Sequence, residues 1–446
     1  VHYCSANCQR SHWPTHKSAC GKKKKDTKNK ADEMWAKGVE QYFRARSMPS
    51  FAMTANMRGA IESFESSLAL YPDDARRQHF LGVCLVSYGG GGSSEERALK
   101  CFEKAFELDP SDRSIALELN FYYSKLGDLE SCRRHAAQVV EKTPNLWCSK
   151  WQRPGACIRN ITSKPWWERS EFDWCEGLEE WYPVIRKELI DNLMKGDVNA
   201  MPRHWGEVGS ATAGHDAEIV GGSEEEEEEK GKGGGRKGSR RRGKAEPEWR
   251  EYVLFGYGDG DPRVNEADAR KYAPRTMTAI ESLVPQAVDM ARRGAGEVIF
   301  SILAPGTRLK PHCASTNARL TCHLGLMVPK DNEKARIRVG EEWRTWKEGQ
   351  CLFFDDSYEH EVSQMGDTLR AVLLLRFWHP EIPSDKWSDV LGEGMVQFEE
   401  LQERRRMPPL SGELKRAIGA RVHGNNPQAQ QMSVQGLLRD GSMEMR

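Results

Sequence analysis

The segment from Glu297 to Trp378 limits the choice of fold more than any other part of the chain. It is a succession of short β-rich runs. EVIFSIL (Glu297–Leu303) is followed by a turn at Ala304-Pro305-Gly306-Thr307. A run from Arg319 to Val328 comes next, then ARIRVGEEWRTW as strand, tight turn and strand, then CLFFDDSYEHEV and LRAVLLLRFW as one strand each. Many short strands punctuated by turns indicate a sandwich or barrel, and a double-stranded jelly roll encloses a site at one mouth. Between Arg319 and Val328 the side chains alternate. Arg319, Thr321 and His323 share one face, and Leu320, Cys322, Leu324, Leu326 and Val328 the other. A polar face inside an apolar β-domain is what a cavity wall requires.

Two histidines stand in this segment, His312 in PGTRLKPH and His360 in FFDDSYEHEV, 48 residues apart. Only sheet folding can bring them together. Neutral imidazoles are good ligands for Fe(II). A non-haem iron site usually adds a carboxylate, often two residues past the first histidine, and that position is Ala314. The nearby acids do not fill the gap readily. Glu359 and Glu361 flank His360 and point away from it on a strand, and Asp355 and Asp356 read as turn caps. Arg370, ten residues past His360, opens the apolar run and reads as an anion clamp. Packed imidazoles and an ordinary salt bridge are the plain alternative.

The strings PGTRLKPHCASTNARLTCHLGLMVP, RVGEEWRTWKEGQCLFFDDSYEHEV and WHPEI closely resemble the aspartyl/asparaginyl β-hydroxylase family, over roughly Trp147 to Ile382. A WQRP element and a KPWW element, in a stretch rich in tryptophan (Trp147, Trp151, Trp166, Trp167, Trp174, Trp181), match the family's entry segment. The resemblance implies a jelly-roll oxygenase dependent on Fe(II) and 2-oxoglutarate, with two histidine ligands, no carboxylate ligand, and ascorbate as an admissible auxiliary. On that resemblance His312 and His360 hold Fe(II), and Arg370 holds the far carboxylate of 2-oxoglutarate. Ser301 and His323 match further cosubstrate contacts, and Arg319 matches a residue placed to hold an acidic substrate side chain. The implied reaction is hydroxylation of a protein side chain, at the β-carbon of Asp or Asn. Two positions depart from the animal members, which carry arginine at Thr321 and lysine at Ile299. The first leaves open an interaction adaptor with an inactive barrel. The second leaves open an acyl-chain hydroxylase, which an apolar Ile299 suits. His379, in WHPEI, reads as structural.

At the N-terminus Cys4, Cys8, His16 and Cys20 are spaced C-x3-C-x7-H-x3-C, a set that suits tetrahedral zinc and replaces a hydrophobic core. The string YCSANCQRSHWPTHKSAC resembles the second half of a MYND finger. The resemblance implies two Zn(II) ions, Cys4 and Cys8 on one, His16 and Cys20 on the other, with the remaining ligands upstream of Val1. Closure of a single zinc site by the four alone is the alternative. MYND modules imply protein partners and a cytoplasmic or nuclear setting. Lys22 to Lys25 read as a solvated linker.

Residues 31–144 repeat themselves. AIESFESSLALYPDD, ALKCFEKAFELDPSD and SCRRHAAQVVEKTPN end in Pro72, Pro110 and Pro144, 38 and 34 residues apart. Thirty-four is the tetratricopeptide period, and the extra residues fit the GGGGSS turn at Gly89–Ser94. About three helix pairs in a short solenoid are expected, serving as peptide-binding surface or spacer. An amphipathic helix is expected over Leu178–Leu193.

The expected organisation is thus a multidomain α + β chain. It comprises a partial zinc finger (1–21), helical repeats (31–144), a jelly-roll oxygenase domain (147–204 and 248–382), and a C-terminal helix and tail (383–446). A charged insertion (205–247), with six consecutive glutamates from Glu224 and then a basic glycine-rich run, has no periodicity to support a core. Lys plus Arg equal Asp plus Glu at 66 each, so no net field selects nucleic acid or an anionic membrane. No apolar run is long enough to span a bilayer. Of twelve cysteines only three cluster, which favours metal binding plus free thiols in a reducing compartment over a disulfide framework.

Overall fold

The computed structural model describes residues 6–46, 50–88, 92–143, 146–202, 205–207, 219–221, 248–257 and 262–405. The zinc-ligand candidates Cys4, Cys8, His16 and Cys20 lie outside the residues whose side chains are described. Two compact units are present, Val1–Pro144 with Glu399–Arg446, and Asn145–Phe398.

The first unit is helical: α1 (Ala6–Arg46), α2 (Ser50–Leu70), α3 (Ala75–Tyr88), α4 (Gly92–Leu108), α5 (Arg113–Lys125) and α6 (Leu129–Lys142). Each packs on the next in sequence. Lys22–Lys25, expected as a linker, instead continue α1; lysine is a good helix former, and no proline interrupts the run from there to Arg46. The repeat spells out its own punctuation. Pro72 and Pro110 each follow a helix end and stand two residues before an aspartate. Asp74 accepts the Arg77 N–H at 3.0 Å, and Asp112 accepts those of Ser114 and Ile115 at 2.9 and 3.3 Å, satisfying donors that a helix start leaves open. Close packing depends on two glycines: a Cβ at Gly38 would meet the Phe64 ring, and one at Gly82 the Phe102 ring, both at 2.5 Å.

The second unit carries the strands β1 (Trp166–Trp167), β2 (Gly206–Glu207), β3 (Ile219–Gly221), β4 (Trp249–Phe255), β5 (Val298–Leu303), β6 (Thr307–His312), β7 (Arg319–Met327), β8 (Ala335–Val339), β9 (Glu342–Thr345), β10 (Cys351–Phe354), β11 (His360–Gln364) and β12 (Arg370–Trp378). Its helices are α7 (Cys175–Glu180), α8 (Tyr182–Glu188), α9 (Pro262–Tyr272), α10 (Pro274–Leu283), α11 (Pro285–Arg292) and α12 (Trp387–Arg405), the last running past the unit's end. The strands form two antiparallel sheets, ordered β1-β10-β7-β12-β5-β4-β2 and β3-β6-β11-β8-β9. Among the described residues no helix is long and apolar enough to cross a membrane.

Alternation along β5, β7, β10 and β12 sorts two cores onto the two faces of the larger sheet. On one face Phe300, Leu324, Phe353 and Phe377 pack with helical residues such as Leu178, Ile185, Met277 and Ile280. Each such fully buried side chain contributes roughly 1.5–3 kcal/mol. On the other face Ile299, Leu303, Phe354, Val372 and Leu374 meet Leu309, Ile337, Val339 and Val362 of the smaller sheet. Polar residues inserted into this inter-sheet layer make the site described below.

Three further expectations need correction. CLFFDDSYEHEV is two strands in different sheets, β10 and β11, because Asp355 Oδ1 accepts the Ser357 N–H at 2.9 Å in an Asx turn. The helix expected over Leu178–Leu193 is broken at Trp181, ahead of Pro183, and ends in a π turn over Leu189–Leu193. The insertion 205–247 contributes the edge strands β2 and β3; its other residues, apart from Trp205, lie outside the described set.

Candidate active site

His312 ends β6 and His360 begins β11, and the two are direct partners across the antiparallel ladder. Their rings lie 4.1 Å apart between centroids, with planes at 53°. Each Nδ1 is 2.8 Å from the carbonyl oxygen of the residue two before it, Lys310 or Tyr358. A carbonyl can only accept, so each Nδ1 carries the proton and each Nε2 presents its lone pair. Burial, then the neighbouring His312, hold His360 well below the usual imidazole range and keep it neutral. Two neutral rings bound side by side to one ion at about 2.1 Å per nitrogen have centroids roughly 4–5 Å apart, so the pair fits a shared metal.

A ladder of rings leads away from this pair inside the inter-sheet layer. His360 is 5.9 Å from Phe354, and Phe354 is 5.0 Å from His323. His323 is 6.0 Å from Trp346, whose ring lies 4.7 Å from the Arg370 guanidinium carbon. Three polar atoms along it are buried without a hydrogen-bond partner among the described residues: Arg370 Nε, His323 Nε2 and Thr321 Oγ1. His323 Nδ1 accepts from Trp346 Nε1 at 3.1 Å, so Nε2 of the neutral ring carries a proton. Burial pushes the Arg370 guanidinium down to about 9, against an opposing pull from Glu251. It is still a cation at neutral pH, with only a long 3.5 Å contact to the Ser301 carbonyl. Orphaned buried donors are costly unless a ligand completes them. These suit a carboxylate.

The other expected site residues are already engaged. The Ser301 hydroxyl accepts from Trp249 Nε1 at 2.9 Å. Arg319 pairs with Asp356 at 3.1 Å and donates to the Ala295 carbonyl at 3.0 Å. Asp356 also accepts from Arg376 at 3.2 Å, while its carbonyl accepts the Ala314 N–H at 2.8 Å. Asp355 caps the turn as expected, with its carboxyl pushed up to about 7 by burial, reinforced by Asp356. Glu359 is buried between Arg153 and Arg338, at 2.7 and 2.8 Å, and Glu361 also pairs with Arg338. Both acids beside His360 are thus taken up by arginines. The His379 ring meets the Thr162 carbonyl at 3.0 Å, a structural bond. Sequence reasoning missed Trp346 beneath Arg370 and the bridging role of Asp356. Neither has a local sequence signal, since both depend on which strands end up adjacent.

Residues 181–380 match the family model described as aspartyl/asparaginyl beta-hydroxylase, and residues 1–20 match the MYND finger. Human aspartyl/asparaginyl beta-hydroxylase is 27% identical over 366 residues, covering 73% of this chain and 41% of the relative. The ornithine lipid ester-linked acyl 2-hydroxylase of Rhizobium tropici is 28% identical over 220 residues, covering 49% and 62%. Aspartate beta-hydroxylase domain-containing protein 1 of Mus musculus is 43% identical over 96 residues, covering 21% and 26%. The chain spans less than half the length of the human and mouse aspartyl/asparaginyl beta-hydroxylases. The segment that brings the two histidines together thus lies in the part of the chain that matches the aspartyl/asparaginyl beta-hydroxylase family model, and residues 1–20 match the MYND finger.

Proposed function

We propose that the chain is an Fe(II)- and 2-oxoglutarate-dependent dioxygenase that hydroxylates a protein side chain, at the β-carbon of Asp or Asn. The two sheets are read as the faces of a double-stranded β-helix, and α1–α6 as tetratricopeptide-like helices that, with the finger and its zinc, recruit protein partners. The observation that carries this reading is the facing pair of imidazoles, each with Nδ1–H fixed on a carbonyl and Nε2 unprotonated.

His312 and His360 would hold the iron, which when bound supplies the chemistry of O2 activation coupled to oxidative decarboxylation of 2-oxoglutarate to succinate and CO2. The rest falls to the chain's own residues. Arg370, stacked on Trp346, takes the far carboxylate of the cosubstrate. The Nε2–H of His323 and the hydroxyl of Thr321 offer further hydrogen bonds in the same layer. Ser301 lines the cosubstrate pocket through its bond to Trp249. Ile299, Ile337, Val339 and Leu374 exclude water. Arg319, oriented by Asp356, is the residue placed to meet an acidic substrate side chain.

One observation favours a second substrate class. Ile299 is fully buried and apolar on the inner face, and a relative is named as an acyl 2-hydroxylase. Incubation with Fe(II), 2-oxoglutarate and panels of peptides and acyl lipids decides between them. The expected result is succinate formation and a gain of about 16 Da on an Asp or Asn peptide, lost in His312→Ala. A gain on lipid alone transfers the assignment, and no succinate under any condition contradicts the enzymatic reading.

A further inference from the structure

Three thiols and a carboxylate gather on the helix-bearing face of the larger sheet, away from the histidine pair. Cys351 opens β10, and Cys322 sits on the same face of the neighbouring β7, in the same core. Cys175 and Glu179 come from α7, where a spacing of four places both on one side of the helix. The Sγ atoms of Cys175 and Cys351 and a carboxylate oxygen of Glu179 all lie within 4.8 Å of one another.

Thiols in an apolar core need no special explanation, but the carboxylate among them does. Glu179 is held in place from two directions. The Cys351 N–H donates to Oε1 at 2.8 Å, and the Arg169 guanidinium pairs with Oε2. Cys175 Sγ is 3.6 Å from Oε1. A tetrahedral ion with metal–sulfur bonds of about 2.3 Å and metal–oxygen bonds of about 2.0–2.2 Å sets its sulfur and oxygen ligands roughly 3.5 Å apart. Cys175 Sγ and Glu179 Oε1 are therefore already at ligand spacing, Cys351 Sγ lies within 4.8 Å of both, and the carboxylate has its supporting bonds in place. A cleft of about 380 Å³ borders the group, with Cys351 and Arg169 in its lining.

We propose that Cys175, Glu179 and Cys351 form a binding site for a thiophilic divalent cation, with zinc the best match to the donor set. Binding displaces one proton from each of two thiols and forms two metal–thiolate bonds and one metal–carboxylate bond. The resulting site carries a net charge of −1, which Arg169 offsets. The ion would staple α7 to β10, behind the strand that carries Thr321 and His323.

The test uses the full chain, stripped with chelator under reducing conditions, reloaded with zinc and desalted. Zinc per chain is compared with that of the Cys175→Ser/Cys351→Ser double variant, and retention against a competing chromophoric chelator with that of Glu179→Gln. The expected results are one zinc fewer in the double variant and at least ten-fold weaker retention of one ion in Glu179→Gln, with ions held elsewhere in the chain unchanged. If the double variant does not fold, Glu179→Gln decides alone, since it keeps the size of the side chain. As a residue-resolved readout, zinc is expected to slow alkylation of Cys175 and Cys351 at least ten-fold, and to leave Cys84 unaffected. Equal zinc content and retention in wild type and variants, or alkylation indifferent to zinc, overturns the proposal.

Discussion

Arg370 shows how a single residue reports on the site it belongs to. A fully buried guanidinium with an unpartnered Nε is costly, and on the proposed function a bound carboxylate offsets that cost. Because burial lowers its pKa to about 9, the charge needed for anion binding is present at neutral pH and lost as pH rises through that value. Affinity for 2-oxoglutarate, followed by calorimetry, is expected to be flat between pH 7 and 8, then to weaken about tenfold per pH unit well above 9. Arg370→Lys should keep part of the affinity but move the profile, because an ammonium cannot make the forked contact. Unchanged affinity in Arg370→Ala would remove this residue from the site. At this scale the sequence was legible where a residue sits in a long, specific string: His312, His360, Arg370 and His323 all fall in the inter-sheet layer. It was illegible where a role depends on a distant partner. Nothing in RLTC tells that Arg319 shares Asp356 with Arg376, or in EWRTW that Trp346 lies under a guanidinium.

Elements were readable in proportion to their periodicity. The helices α2 to α6 follow from recurring apolar positions and P-x-D punctuation, and β5, β7 and β12 from β-rich runs. The break between β10 and β11 was hidden because a two-residue Asx turn leaves the hydrophobic pattern almost unbroken. The region from β4 through α11 carried no motif and was not resolved into elements. Two predictions belong to the helices. Gly82→Val should destabilise the helical unit by about 1–3 kcal/mol through overpacking against Phe102, read as a lower denaturation midpoint. His135 on α6 bonds the Ala116 carbonyl of α5 at 3.0 Å and packs on Phe106; burial lowers its pKa to about 4. The unfolded chain, with an ordinary pKa near 6.5, binds the proton first, so stability is lost as pH falls from about 6.5 to 4. The loss should reach ~3 kcal/mol. Denaturation at pH 7 and 4.5 should show this slope in the wild type and a smaller one in His135→Gln; equal slopes would exclude His135 as its source.

At the scale of the whole molecule, the second unit works by separation of faces. One side of the larger sheet is sealed by helices, and the other shares its apolar layer with a smaller sheet, so polar groups placed between the two are dry and fixed. That arrangement lets residues 48 positions apart in sequence become ladder partners. The human and mouse relatives extend well beyond the length matched here. The claim on which the enzymatic reading rests is that His312 and His360 serve one ion. Anaerobic Fe(II) binding to the full chain, measured for His312→Ala, His360→Ala and the double variant, tests it most directly. Because each histidine is useless without the other, either single substitution should remove the same one equivalent of iron as the double. Losses that add across the two substitutions, or iron content unchanged in all three, would contradict it.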